Sequence, residues 1–444
     1  MTEKIQALLT EKSYAEITKL FKDMNPADAA IVLGGLPEQI MPIVFRVLPK
    51  ELGADTFVYM NGDAQEILIK GFSDKELDEV MSVLFVDDAA DMLEEMPANV
   101  VKRVLKHIDV ETRNMINQIF NYPKDSAGSI MTMEYVDLKR RMTVEQAFAR
   151  IRATGVKKET VYTCYVTDDK RKLEGIVTVK DLIFAPPTEY IMNIMETNVK
   201  YVSTHTDQEI VAQELSKYDF LALPVVDAED RLVGIVTVDD AIDVIQEEAT
   251  EDIEKMAAMS PSDKPYLKTS VIETWKQRAP WLLILMISAT FTGAIISVYE
   301  DALASAIILT SFIPMLMNTG GNAGSQSAIM VIRGLSLRQI QFKDVFSILR
   351  KEICVSFLCS LTLVSASFVK LMLLDRLSFP VAAVVCLTLI LVVMAANMVG
   401  SALPIIAKKI GFDPAVMASP MITTVVDAFS LIIYFNIAKV ILGI

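Results

Sequence analysis

Asp427 constrains the chemistry of this sequence more than any other residue. It is the one carboxylate deep in the apolar run 414–438. An ionisable side chain in a bilayer core is costly, turns to the protein interior or to a water-filled path, and serves function by default. Thr423, Asp427, Ser430 and Tyr434 recur at i, i+4, i+7 and i+11, which puts them on one helix face. The rest of that helix is apolar. A weaker polar stripe, Asn397 and Ser401, marks the preceding run. No Lys or Arg lies at comparable depth to pair with Asp427, which favours an external cation as its partner. The plainer alternative is a neutral Asp427 hydrogen-bonded between helices.

Two further groups of residues invite chemistry. One is the run Asn318-Thr319-Gly320-Gly321-Asn322-Ala323-Gly324-Ser325-Gln326-Ser327. Polar residues and paired glycines at membrane depth suggest an opened helix whose backbone lines a cavity. Close packing through small residues is the alternative; Asn and Gln, which such packing does not require, favour the cavity. The other group lies at 239–259. There Asp240, Asp243, Glu247, Glu251 and Glu254 fall at i, i+3, i+7, i+11 and i+14. Ile242, Ile245, Ala249, Ile253 and Met256 form an apolar stripe at similar spacing. The pattern is an amphipathic helix with an acidic ridge. Such ridges are commonly just solvated faces. Glu248 and Asp252 thicken this one and few bases compensate, so its carboxylates repel unless a cation neutralises them. Oxygen ligands of this kind suit Mg²⁺ or Ca²⁺. Asp87 and Asp91 form another like-charged i, i+4 pair.

The elements that must position these residues divide the chain in two. To about residue 269 the sequence is charge-rich and acidic; beyond it long apolar runs dominate, within a net charge of −14. That acidity excludes nucleic acid, which needs a basic footprint. Five spans follow Trp275, at roughly 281–299, 302–332, 353–369, 377–407 and 414–438. The second and fourth would reach on the order of 46 Å as straight helices, against a bilayer core of about 30 Å. They must tilt, break or project, with Pro314, Gly320, Gly321, Pro380 and Pro404 marking where breaks would fall. Lys276, Arg278, Arg333, Arg338, Lys343, Arg350, Lys351, Lys408 and Lys409 fill alternate connections. The positive-inside rule then puts the N-terminus in the cytoplasm and the C-terminus outside a multi-pass cell (inner) membrane protein. No signal peptide precedes the first half. The four cysteines, Cys164, Cys354, Cys359 and Cys386, show no CxxC spacing and read as reduced packing residues. His107 and His205 are isolated, so a zinc site is not expected. Neither HExxH nor GxSxG occurs, and no enzyme is expected.

An internal repeat organises the middle of the chain. Gly175-Ile176-Val177-Thr178-Val179-Lys180-Asp181 returns 59 residues later as Gly234-Ile235-Val236-Thr237-Val238-Asp239-Asp240. Cys164 to Asp168 matches Leu223 to Asp227 at the same offset. Alternating apolar residues predict strands, with helices at 144–151 and 208–215 between them. This resembles a tandem pair of α/β CBS domains, at about 128–189 and 190–246. In that family the cleft often holds adenine nucleotides, and the Thr/Ser-x-x-Asp signature is matched by Thr178 with Asp181 and Thr237 with Asp240. Residues 1–127 look wholly helical. Asp28-Ala29-Ala30 with Leu33, Leu36 and Pro37 is echoed 60 residues on by Asp88-Ala89-Ala90 with Leu93, Met96 and Pro97, as in a compact superhelix.

The whole sequence resembles the MgtE family of magnesium channels. The order covers essentially all of it: helical N domain, two CBS units, an acidic connecting (plug) helix at 247–270, and a five-helix transmembrane pore domain at 271–444. Gly320 to Gln326 and Asp427 downstream of Gly411-Phe412-Asp413-Pro414 carry the likeness. The resemblance implies a homodimer in a lipid bilayer that takes up Mg²⁺. Asp427 of both subunits would face the pore with Thr423, Ser419, Asn322 and Gly321. It implies closure by cytosolic Mg²⁺ at Asp87, Asp91, Asp207, Glu209, Asp219, Asp240, Asp243, Glu248, Glu251, Asp252 and Asp413, and a possible ATP or related nucleotide in the CBS cleft. Members can carry Asn and Ala where this chain has Ser419 and Thr423, which bears on selectivity. A general carrier of Co²⁺ or Mn²⁺ is the nearest alternative. A CBS-regulated anion transporter would instead require a basic residue or helix N-termini at the ion site.

Overall fold

The computed structural model describes residues 1–444 except 95, 263–265, 268, 301–303, 305, 418 and 444; the side chains of 51, 157 and 419 also lie outside the description. The chain forms two compact units, Met1–Ile245 and Gln246–Ile444.

The first unit opens with short helices, from Thr2–Thr10 (α1) to Val110–Ile119 (α10). The 60-residue echo is structural. Ala29, Ala30, Leu33 and Leu36 are buried, and so are Ala89, Ala90, Leu93 and Met96, all in one continuous core. Local chemistry ends and starts these helices. Asn25 caps Pro26–Gly34 (α3) by accepting from the Ala27 amide, and Ser73 with Glu76 forms a reciprocal capping box on Asp74–Met81 (α7). Arg46 locks the same Glu76, whose pKa falls to about 2 mainly through that hydrogen bond.

Two three-stranded sheets follow, and they repeat at the sequence offset. β1 (Asp137–Leu138) runs parallel to β2 (Thr163–Thr167), which pairs antiparallel with β3 (Leu173–Thr178). β4 (Val202–Ser203), β5 (Ala222–Val226) and β6 (Leu232–Thr237) do the same. Cys164 faces Val177 and Leu223 faces Val236, so register and repeat coincide. Val144–Thr154 (α11) and Gln208–Tyr218 (α14) cover the predicted helical patterns, with Val179–Phe184 (α12) and Ile191–Ile194 (α13) between. The repeats also exchange backbone pairs with neighbouring loops in the same way: Thr132 with Ile235 at 2.8 and 2.9 Å, and Ile176 with Glu196 at 2.9 Å in both directions. A Cβ at Gly234 would press on Met131 and the Thr132 carbonyl, and one at Gly175 on the Glu196 carbonyl. Those close approaches explain why both repeat copies begin with glycine.

Val238–Met256 (α15) is the acidic helix. Its buried residues are Ala241 and Val244. Ile242, Ile245 and Ile253 of the expected apolar stripe are exposed on the single chain. The long helices of the second unit are Val271–Val298 (α16), Ile313–Ser336 (α17), Val345–Val369 (α18), Phe379–Lys409 (α19) and Ser419–Leu442 (α20). By length and apolarity four segments among the described residues qualify as membrane spans: 271–298, 342–374, 379–409 and 414–442. α17 is long enough but carries the polar run.

Two expectations for these helices change. Proline marks starts rather than breaks: Pro314 and Pro380 open α17 and α19, where their missing N–H costs nothing. α19 runs unbroken through Pro404. The glycine run does not open a helix either. It lies inside α17, and the close-packing alternative holds. Added Cβ atoms on Gly320, Gly321 and Gly324 would meet Val392, Val426, Thr423, Ile422 and the Ala396 carbonyl, and one on Gly400 would collide with the Gly324 carbonyl. Backbones of α17 and α19 touch there, as small residues allow between membrane helices.

Candidate functional site

α17 presents two faces. Gly320, Gly321, Gly324, Ser327, Ala328 and Val331 are buried against α19 and α20. Asn318, Asn322 and Gln326, at i, i+4 and i+8, are exposed. Asn322 donates to Asn318 Oδ1 at 3.4 Å. Amide side chains left open on a membrane helix belong beside water or a protein partner, because lipid cannot satisfy them.

Asp427 stands half-buried on α20, and among the described residues it has no hydrogen-bond or ion-pair partner. Thr423, one turn earlier, lies against Gly321: a Cβ there would come 3.0 Å from the Thr423 methyl. The Thr423 hydroxyl donates to the Pro420 carbonyl at 2.9 Å. Thr423 and Gly321 therefore meet, with Asn322 next along α17. Ser419 opens α20, but its side chain is outside the described residues. The polar face read from sequence is shorter than expected. Ser430 is buried and donates to Val426 O at 2.7 Å, and buried Tyr434 donates to Leu309 O at 2.9 Å. Those two hydroxyls satisfy backbone carbonyls inside the protein; Thr423 and Asp427 keep the open part of the face.

Sequence reading missed a second carboxylate within a candidate membrane span. The helical segment that includes α18 starts at Phe342, so Glu352 sits on it rather than before it. Glu352 Oε2 accepts from Ser327 Oγ of α17 at 2.9 Å and from Asn397 Nδ2 of α19 at 3.3 Å. Ser327 also reaches the Asn397 carbonyl at 3.2 Å. Glu352 thus joins three helices through neutral donors. The Asn397 stripe noted in the sequence is this junction; Ser401 is buried and bonds to the Met398 carbonyl. Asn397 Oδ1 is buried without a hydrogen-bond partner among the described residues.

In the first unit the acids crowd one another. Asp87 lies on Val86–Glu94 (α8) and is buried; burial first, then Asp240, Asp88 and Glu159, push its pKa well up. Asp91, its expected partner, is on the exposed side of the same helix. Burial, then Asp239, raises Asp88 to about 6. Burial, then Asp88, Asp239, Asp240 and Glu134, raises Glu159 to about 7. Burial raises Asp240 to about 6, with Asp239 and Asp88 adding to it against the Thr237 hydrogen bond. Asp243 is raised by burial and Asp239. Glu134 accepts from the Val86 amide at 2.9 Å, at the start of α8. Asp88, Glu134, Glu159 and Asp239 were not singled out by pattern, because Glu134 and Glu159 come from loops with no periodicity.

The remaining expected acids stay apart. Asp207 caps the start of α14, accepting from Glu209 N at 2.9 Å, while Asp219 ends it in the left-handed region at φ 54°. The helix keeps them roughly 18 Å apart in one chain at its ordinary rise. Glu209 accepts from Gln213 at 2.9 Å. Among the described residues no three His, Cys, Asp or Glu converge on a metal-sized site. Thr178 and Thr237 donate to Asp181 and Asp240 at 2.5 Å each, so both signature pairs serve as helix caps. Asp181 is exposed; Asp240 belongs to the acidic cluster.

The end of α15 belongs to the second unit. Lys255 Nζ donates to Glu251 Oε1 at 2.6 Å and to Asp413 Oδ2 at 2.7 Å. Burial would lower the lysine pKa, but the hydrogen bonds to Asp413 and Glu251 outweigh it and hold the ammonium firmly charged. Glu248 and Asp252 are half-buried on the same helix. The helix stops in a Schellman motif, with Met259 N bonded to Glu254 O at 3.0 Å and Ala258 N to Lys255 O at 2.9 Å. Ala258 takes φ 53°, where glycine is usual, at a cost of about 1–2 kcal/mol.

A lone carboxylate on an open polar face of membrane helices, joined through an acidic helix to a duplicated α/β unit, defines a membrane transport protein with a large non-membrane half. Family models match the MgtE divalent cation transporter domain at 313–437, the MgtE intracellular N domain at 24–125 and CBS domains at 127–187 and 191–247. The magnesium transporter MgtE of Thermus thermophilus is 36% identical over 99% of this chain and 98% of its own length. That of Bacillus subtilis is 33% identical over 98% and 96%. The crystal structure of the cytosolic domain of the Mg²⁺ channel MgtE in complex with ATP superposes with a TM-score of 0.52 at 36% identity, covering 55% of this chain and 100% of that one. The chain belongs to the MgtE family of magnesium transporters. Its soluble half is cytosolic, and the family's members are transporters rather than enzymes.

Proposed function

We propose that this protein conducts Mg²⁺ across the cell membrane through a pore formed by two copies of the chain, with Asp427 as the ion-attracting group. The observation that carries the reading is the Asp427 carboxylate, without a partner among the described residues, one turn along α20 from Thr423, which meets Gly321 next to Asn322 of the exposed amide stripe. One copy offers only one open polar face, and a homodimer closes it into a path. Mg²⁺ gives up its waters reluctantly. Two carboxylates with hydroxyl and amide oxygens around them hold a hydrated ion without stripping it. α17 serves as the fifth span despite its polar run, because its polar face lines the path. The N-terminus is then cytoplasmic and the C-terminus outside.

Regulation follows from the acids. At low cytosolic Mg²⁺ the carboxylates around Asp87, Asp88, Glu159, Asp239 and Asp240 repel. Mg²⁺ relieves that repulsion and draws the connecting helix into its closed position. Asp91, Asp207, Glu209, Asp219, Asp243, Glu248, Asp252 and Asp413 would complete their sites across copies. Such a switch requires the ion to bind the closed state better. An adenine nucleotide in the CBS cleft has support from the relative crystallised with ATP; Asp181, exposed and close to its cap, is the better ribose contact than Asp240. Calorimetry with millimolar ATP tests this, and absence of heat or thermal shift rejects it.

The deciding experiment is Mg²⁺ flux into proteoliposomes containing the wild-type protein or Asp427→Ala. Flux that depends on Asp427 is expected. Equal flux from a folded, dimeric variant rejects the pore assignment. The family model describes divalent cation transport, so competition by Co²⁺ and Mn²⁺ in the same assay measures how far Ser419 and Thr423 broaden selectivity.

A further inference from the structure

The last turn of α15 is fastened to the membrane unit by a cation that the chain supplies itself. Lys255 lies between Glu251, one turn back, and Asp413, in the turn after α19. Both contacts are short and charge-assisted, the stronger kind of hydrogen bond. The lysine side chain is 23% exposed and each carboxylate 35%. Asp413 is preset for this contact: its other oxygen, Oδ1, accepts from Ala415 N at 2.8 Å and fixes the carboxylate. The neighbouring Met256 packs on the apolar cluster of Ala328, Ile332, Ala396, Ala415, Ile422 and Val426, built by the ends of α17, α19 and α20. Past the helix, Ser260 N bonds to Gln277 O of α16 at 3.1 Å. The ion pair, the apolar contact and the backbone bond all hold the same turn.

We propose that Lys255 is a built-in latch, an ammonium that bridges Glu251 and Asp413 and keeps the end of the connecting helix docked under the pore helices without a metal ion. The sequence-based expectation put Mg²⁺ at these two carboxylates; in this geometry the lysine neutralises both. The helix therefore has a metal-independent share of its docking energy, and Mg²⁺ need supply only the rest. Removing the ammonium leaves two carboxylates facing each other, and neutralising that pair then falls to divalent cations, with only the Met256 contact and the Ser260–Gln277 bond left to hold the turn. The effect on transport rests on the proposed gating role of this helix; the effect on docking does not.

The test uses the full-length protein and three variants: Lys255→Gln, Asp413→Lys, and the charge swap Lys255→Glu with Asp413→Lys. Hydrogen–deuterium exchange of segment 246–262 reads docking, and proteoliposome flux against internal Mg²⁺ reads closure. For a partly exposed pair, Lys255→Gln should speed exchange at low Mg²⁺ by roughly 3–10-fold and raise the Mg²⁺ needed for half-closure by a similar factor. Saturating Mg²⁺ should restore both. Asp413→Lys alone sets two cations against each other and should exchange fast even in saturating Mg²⁺. The swap should return exchange toward wild type in low Mg²⁺. Unchanged exchange in Lys255→Gln, or a swap no better protected than Asp413→Lys, overturns the latch. A lower Mg²⁺ requirement in Lys255→Gln also overturns it, since Lys255 would then be a competitor of Mg²⁺. Altered exchange with wild-type flux insensitive to Mg²⁺ would keep the latch and reject gating by this helix.

Discussion

The carboxylates of the cytosolic unit and those of the membrane unit live under opposite rules. In the first unit Asp87, Asp88, Glu134, Glu159 and Asp240 are half-buried or buried near one another, with the exposed Asp239 adding its charge, and burial with mutual repulsion raises the proton affinity of those five. In the second unit Glu251, Asp413, Glu352 and Asp427 are arranged otherwise. Glu251 and Asp413 share Lys255, Glu352 is held by neutral donors from two other helices, and Asp427 has no partner among the described residues. Crowded acids store repulsion that added cations or protons relieve, which suits sensing. A solitary acid attracts one ion at one place, which suits conduction.

The largest effect expected from this contrast is at Asp427. We predict that Asp427→Ala lowers Mg²⁺ flux by at least tenfold, as deletion of an intramembrane ionisable group should, while size-exclusion chromatography shows the same assembly as the wild type, expected here to be a dimer on the proposed reading. Asp427→Asn keeps the shape and should fall between the two. A folded Asp427→Ala protein with normal flux would remove the solitary acid from the conduction path.

Glu352 sharpens the contrast within the membrane unit. Glu352→Ala leaves the Asn397 amide short of an acceptor and the Ser327 hydroxyl with the Asn397 carbonyl alone. That should cost about 1–3 kcal/mol, read as a lowered unfolding temperature in detergent. Glu352→Gln keeps an acceptor oxygen and should retain flux within about threefold, since most of its contribution is packing rather than charge. Loss of conduction in Glu352→Gln, with normal stability, would instead make Glu352 a second ion-attracting group.

The crowded acids make a pH prediction. Asp88 and Asp240 at about 6 and Glu159 at about 7 bind protons more readily in the folded unit than at their ordinary values of roughly 4. Raised carboxylates favour the folded state fully below their unfolded pKa, and that contribution is lost as pH rises through the folded values. In chelator, residues 1–262 should therefore melt higher at pH 5.5 than at pH 7.5. Mg²⁺ should stabilise strongly at pH 7.5 and much less at pH 5.5, because protons have already relieved the repulsion. Equal Mg²⁺ gains at both pH values would sink the idea of stored repulsion. NaCl at matched ionic strength should substitute poorly, since it screens without bridging. The smallest effect concerns one member of the cluster: Glu159→Gln should raise the melting temperature in chelator at pH 7.5 by about 2–4 °C and by little at pH 5.5. A fall at pH 7.5 would show that Glu159 contributes a favourable contact outweighing its charge.

Much of this architecture was legible in the residues. The 59-residue repeat set strand pairing, because alternation fixes which side chains face the core and a slip would invert them; Cys164 opposite Val177 and Leu223 opposite Val236 follow directly. The Asp-Ala-Ala echo marked matching buried faces in the helical domain, and the lone Asp427 stood out because a bilayer tolerates few carboxylates. Tertiary structure alone decided the rest. Helical spacing put Ser430 and Tyr434 in line with Asp427, but packing turned them to backbone carbonyls at Val426 and Leu309. The Asn and Gln of the glycine run favoured an opened helix over a packing face, until the Gly324–Gly400 approach showed backbones in contact. Asp87 looked paired with Asp91 along one helix, yet its charged neighbours are Asp240 of α15, the adjacent Asp88 and Glu159 from a loop. No spacing singled out Lys255, and only the fold brought Asp413, 158 residues away, to its ammonium. Periodicity reports which face of an element a residue occupies. Which other element covers that face depends on long-range packing, and no local spacing encodes it.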